Sequence, residues 1–255
     1  MKKLLTILLA GALAICACFS LIGCGAKNGT LKVGITDYAP MDYKEDGGCG
    51  GEKWIGFDAD LAREVAKILD YDIEFVEIEW DNKVISINAK EIDVIWNGMT
   101  ITDELKEALT ISDPYLENSQ VIVCQSSVKD SYTAINSLEN ASEILVEAGS
   151  AGEKAVKAAG FESKIKKATA QKDTLLEVKT SVQKVAVIDK LMAQVLVGEG
   201  TSYSDLTFKE VGFEKEEFGI GFRKEDTELC KKVNDAIKTL KENGKFAELQ
   251  KKYFA

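Results

Sequence analysis

The side chains able to do chemistry in this 255-residue chain are carboxylates, hydroxyls, amides, amines and aromatics, because it contains no histidine. A Ser-His-Asp triad, a Cys-His dyad and any His-ligated metal site are thereby excluded. Cys49, Cys124 and Cys230 are too widely spaced for a zinc pattern. Cys124 lies in an apolar strand pattern and reads as a small core residue. The polar residues of interest gather in short runs that follow apolar strands. These runs are Thr36-Asp37-Tyr38, Glu79-Trp80-Asp81, Trp96-Asn97-Gly98-Met99-Thr100, Glu147-Ala148-Gly149-Ser150 and Asp189. They hold acids, aromatics, hydroxyls and a glycine-rich helix start, but no nucleophile beside a base. The chemistry they suit is reversible binding of a small polar molecule, with no cofactor or metal expected. From spacing alone, Asp189 reads better as a helix N-cap, and Tyr38 and Trp80 read equally well as core aromatics.

Strands alternating with helices must position these runs. Leu31 to Ile35 alternates as a strand, and 58–69 is helical with Leu61, Val65, Ile68 and Leu69 on one face. A strand through Ile73 to Ile78, a helix over 82–89, a buried strand Ile92 to Ile95, a short helix after Thr102 and a strand Val121 to Val123 follow. The second half repeats the alternation: strand 144–146, helix 151–159, weak strand 164–168, helix 171–179, buried strand 185–188 and helix 189–197. Strand 218–222, a long helix over 226–241 and a short helix to Tyr253 close the chain. Such alternation predicts open, mostly parallel sheets flanked by helices, with ligands met at the carboxyl ends of strands. With 42 acidic and 32 basic residues the formal charge is −10, which disfavours nucleic-acid binding.

Met1-Lys2-Lys3 followed by the apolar run to Ile22 has the layout of a secretory signal peptide. Leu21-Ile22-Gly23-Cys24 resembles the lipobox of bacterial lipoproteins, in which the cysteine is diacylated and becomes the new N-terminus. The expectation is a signal peptide over 1–23, a lipidated tether over 24–30, and attachment to the outer face of the bacterial cell membrane.

Gly56-Phe57-Asp58-Ala59-Asp60-Leu61 resembles the G-F-D-x-D-L motif of the extracytoplasmic solute-binding proteins for polar amino acids, family 3. Gly98-Met99-Thr100-Ile101-Thr102 with Ser112-Asp113-Pro114-Tyr115, Val185 to Asp189, Phe218 to Lys224 and Lys251 to Phe254 resemble further signatures of that family, in the same order. The resemblance implies an α/β periplasmic-binding-protein clamp. Lobe 1 would comprise 31–116 and 214–255, and lobe 2 would comprise 117–213. Two hinge strands near 115–119 and 214–218 would join them. It implies a monomer that captures an amino acid or related polar or cationic solute and hands it to an ABC permease and its ATPase, without catalysis. A sensor or surface lipoprotein on the same fold is the alternative, and a lyase-type enzyme a more distant one.

Carried over residue by residue, Tyr38 and Trp80 resemble the aromatics that sandwich the ligand. Asn97, Gly98 and Thr100 resemble the contacting loop of the first lobe. Asp189 resembles the carboxylate that pairs with the α-ammonium, and Ser150 with Ala151 the helix start that receives a carboxylate. Asp37 and Glu147 are candidate acids beside them and would favour a cation. The chain departs from the family at one place: the T-x-T-x-x-R run reads Thr100-Ile101-Thr102-Asp103-Glu104-Leu105 here. Leu105 stands where an arginine would fork onto the ligand carboxylate. Lys106 is turned about 100° away on the same helix. The expectation is that common L-amino acids bind weakly.

Overall fold

The computed structural model describes residues 27–46 and 52–254. Cys24 and Cys49 lie outside them, as do the signal and residues 24–26 of the tether. The first half holds β1 (Thr30–Ile35), an antiparallel pair β2 (Tyr43–Asp46) and β3 (Glu52–Ile55), α1 (Phe57–Ile68), β4 (Asp72–Glu77), α2 (Lys83–Asn88), β5 (Val94–Thr100), α3 (Asp103–Ala108), β6 (Thr110–Ile111) and β7 (Leu116–Gln125). The second holds β8 (Glu143–Glu147), α4 (Ala151–Ala158), β9 (Ile165–Ala168), α5 (Gln171–Lys179), β10 (Lys184–Asp189), α6 (Lys190–Leu196) and β11 (Leu206–Lys209). The chain closes with β12 (Lys215–Phe222), α7 (Thr227–Glu242) and α8 (Lys245–Phe254).

The strands run in the order β4-β1-β5-β12-β7-β10-β8-β9, with β6 on β12 and β11 on β7. β1, β4 and β5 are mutually parallel, as are β8, β9 and β10. The two strands between these groups are antiparallel to their neighbours. β7 pairs with β12 through Leu116 to Ser119, then with β10 through Gln120 to Val123. Two parallel sheets are therefore joined through one pair of crossing strands, the arrangement of a two-lobed clamp.

Alternation decides what each strand buries. On β7, Val121 and Val123 enter one core while Ile122 and Cys124 enter another on the opposite face. On β5, Val94 and Trp96 point one way and Ile95 and Met99 the other. Cys124 and Cys230 are free and buried. On α1 the buried face is Leu61, Ala62, Val65 and Ala66. The two alanines centre the contact on their side, leaving the expected core residue Ile68 45% exposed.

Two sequence expectations change. The strand expected to end at Ile95 continues through the expected loop: β5 runs on to Thr100 with a register shift against β12. Gly98 sits in that irregularity at φ 58°, where an added Cβ would lie 2.6 Å from the Tyr38 ring. The pairs β2–β3 and β7–β11 were also not expected, because four-residue strands carry too little periodicity to be read.

Candidate ligand-binding site

The strand ends of both lobes converge on one cleft. Its walls include Tyr38, Trp80, Asn97, Gly98, Thr100 and Leu105 from one side, and Glu147, Ser150, Ala151 and Asp189 from the other. Ten of the eleven residues expected to meet a ligand are thus brought together. The exception is Asp37, whose carboxylate is turned onto the Lys172 ammonium of α5, an ion pair between the lobes. The cleft is narrow, with about 20 Å³ free, roughly the room for one water.

Asp189 anchors the acidic end. It occupies the N-cap position of α6, yet its side chain caps nothing. Its carboxylate instead accepts from Gln120 Nε2 at 3.0 Å, and from the amides of Asn118 and Gln171. Gln120 and Asn118 also donate to Glu216 of β12, at 3.0 and 3.3 Å, and Thr100 Oγ1 donates there at 3.1 Å. Two carboxylates thus share one amide network across the crossing strands. Burial, then the charge of Glu216, raises the Asp189 pKa to about 7. Burial, then Asp189, raises Glu147 to about 8. Asn118, Gln120, Gln171 and Glu216 were missed in the sequence. The i,i+2 pair Asn118 and Gln120, on one face of a strand, was the available signal.

The aromatic wall is Tyr38 and Trp80, both buried. Trp80 packs with Ile87, Met99, Leu105 and Leu109. Asn97 Nδ2 donates to Thr36 Oγ1 at 2.7 Å, while Asn97 Oδ1 and the Tyr38 hydroxyl have no protein partner. Asp58, from the Gly-Phe-Asp motif, does not line the cleft. It accepts from Gly98 N–H at 2.7 Å and Tyr115 O–H at 2.8 Å, and so fixes the backbone beneath Tyr38. Asp60 accepts from Tyr253 O–H at 2.6 Å, and Lys252 Nζ lies 2.8 Å from it; both contacts tie α1 to the C-terminal helix. The most recognisable motif is therefore scaffold.

On the second lobe, Ser150 caps α4 by accepting from Glu153 N–H at 3.1 Å, and the Glu153 side chain accepts from Gly149 N–H at 2.8 Å. The first-turn N–H groups beyond the cap have no intrahelical acceptor, and Ala151, which opens the helix, lines the cleft. Gly149, at φ 69°, lets the lobes meet: a Cβ there would lie 2.6 Å from Asp81 Oδ1. Two lysines not expected from the sequence, Lys83 and Lys154, also line the cleft. They offset its acids, so the net-acidic site expected from Asp37, Glu147 and Asp189 is a mixed one. Lys106 is directed outward onto Asp103, at 3.2 Å.

Residues 31–255 match the family model of bacterial extracellular solute-binding proteins, family 3. The arginine-binding extracellular protein ArtP of Bacillus subtilis is 30% identical, over 100% of this chain and 98% of its own. An ancestral arginine-binding protein solved with arginine superposes with TM-score 0.81 at 31% identity, covering 90% of this chain and 100% of its own. A Streptococcus pneumoniae ABC uptake substrate-binding protein with bound histidine gives 0.79 at 30%, covering 88% and 92%. A fold of two sheets crossed by one strand pair, a cleft at their strand ends and a match over nearly the whole chain lead to one conclusion: the protein belongs to the bacterial extracellular solute-binding proteins, family 3.

Proposed function

We propose that the protein captures an α-amino acid or a closely related amine in this cleft and delivers it to an ABC permease, without transforming it. The observation that carries the reading is the buried acid pair Asp189 and Glu147 facing an aromatic wall, with the unpartnered Tyr38 hydroxyl and Asn97 Oδ1 beside them. An ammonium group supplies what these acids lack: a cation in ion-pair contact with them, and donors for the two orphan oxygens. Trp80 and Tyr38 give flat faces for an alkyl or guanidinium side chain. Relatives that bind arginine or histidine make the same class of ligand the natural one here. Asp37, paired with Lys172, serves to close the lobes rather than to hold the solute. Cys24 carries the lipid that keeps the receptor beside its permease.

The test is titration calorimetry on residues 25–255 with the common amino acids and their amines. At least one should bind at micromolar affinity or better, and Asp189→Asn should weaken it by about tenfold or more. Binding that is indifferent to Asp189→Asn would refute the assigned role of the acid pair.

A further inference from the structure

Lys83 is an unfavourably placed cation. It opens α2, where the helix dipole disfavours a cation, and it is only 7% exposed. Among the described residues no carboxylate lies within ion-pairing distance of it. Its ammonium donates to Trp80 O at 3.0 Å and to Gly149 O at 3.1 Å, which leaves one of its three donors over. It sits 4.7 Å from the centroid of the Trp80 ring and lines the cleft with Leu105, Ser150 and Ala151. Lys154, the other cation on the cleft wall, is engaged with Glu104.

We infer that Lys83 is the specificity-determining cation of the cleft, binding a carboxylate of the solute at the start of α4 in the place left by an arginine at position 105. The inference rests on the proposed function and deepens it, because it commits the ligand to carrying a carboxylate. Three features converge on one spot: a buried ammonium with a free donor, the first-turn N–H groups of α4, and a neutral Leu105 where the family has a fork. Asp189 forms the other pole, with Glu147 in electrostatic contact with both Asp189 and Lys83, so the cleft is complementary to a zwitterion and not to a simple amine. Burial, then Lys154, lowers the Lys83 pKa to about 8, which leaves it chiefly protonated at neutral pH. A bound carboxylate would relieve that destabilisation. A structural alternative is that Lys83 merely latches the lobes through Gly149 O. A latch would strengthen the binding of every solute equally, whereas a carboxylate receptor acts only on solutes that have one.

The experiment compares matched pairs: L-arginine with agmatine, L-histidine with histamine and L-lysine with cadaverine, by calorimetry at pH 7. The wild type should favour the acid of at least one pair by about tenfold to a hundredfold. Lys83→Met should bring that ratio close to one while the amine still binds, and Lys83→Arg should keep most of it. Melting curves verify folding, and Lys83→Gln carries the test if Lys83→Met fails to fold. An equal loss for acid and amine would make Lys83 a latch and overturn the inference, as would a wild type with no preference. Failure of every compound to bind wild type would overturn the amino-acid reading itself, and this inference with it.

Discussion

Leu105 is the residue at which this cleft departs most sharply from what its family resemblance implies. It is 7% exposed and packs against Trp80, Met99 and Leu109, with its backbone N–H held by the Thr102 hydroxyl at 3.3 Å. The helix start that presents it is intact, so only the side chain differs. Leu105→Arg should add a bidentate carboxylate contact and strengthen binding of at least one common amino acid by about tenfold or more, read by calorimetry. No gain for any amino acid would mean that the carboxylate lies away from α3. The cleft residues that could be read from sequence are those at or just after strand ends, such as Tyr38, Thr100, Glu147 and Asp189, because the chain direction fixes where a strand end points. Lys83 and Gln171 could not be read. Each opens a helix, and each reaches the site only through the packing of that helix. Asp37 shows the opposite failure: its position was right, but Lys172 on the other lobe takes its side chain.

The elements that matter most are the crossing strands β7 and β12 and the strand end of β10. Asn118 and Gln120 bridge Asp189 to Glu216, so these three strands share one network of amides and acids. Burial raises the pKa of Glu216, of Glu147 to about 8, and of Asp189 and Asp58 to about 7. Each is raised above its unfolded value near 4, so the folded state holds protons that the unfolded state has lost. Stability contributed in this way is present below about pH 4 and is lost as pH rises to about 8. Carboxyls with lowered pKa values, such as Glu153 at about 2, act in the opposite direction, but only in more acid solution. The unliganded protein should therefore melt several degrees higher at pH 5.5 than at pH 8. Its affinity for an ammonium solute should fall as pH drops through 7, by about tenfold per pH unit for each proton displaced. A melting temperature that rises from pH 5.5 to pH 8 would show that the cluster is ionised throughout. The alternation of strands and helices was legible because helical and strand periodicities differ. The continuation of β5 to Thr100 was not, because Asn97-Gly98 carries a turn signal that pairing with β12 overrides.

At the scale of the whole molecule, two parallel sheets meet at one narrow cleft. The contacts that cross it are few and polar: Lys83 to Gly149, Lys154 to Glu104 and Lys172 to Asp37. The two ion pairs join partly exposed side chains and break and re-form at low cost, which suits a clamp that must open for its solute. A receptor of this kind works with its permease, and the lipid anchor proposed at Cys24 would keep the two together. Cys24→Ala should release the protein from the membrane fraction or leave an uncleaved precursor; unchanged mature mass and membrane attachment would remove the anchor from the account. The clamp itself is tested most directly by the crystal structure of the complex with the tightest-binding amino acid. The α-ammonium should lie within hydrogen-bond distance of Asp189, the side chain between Tyr38 and Trp80, and the carboxylate at Lys83 and the first N–H groups of α4. A solute bound outside the cleft, or one whose carboxylate faces Asp189 and Glu147, would contradict this placement.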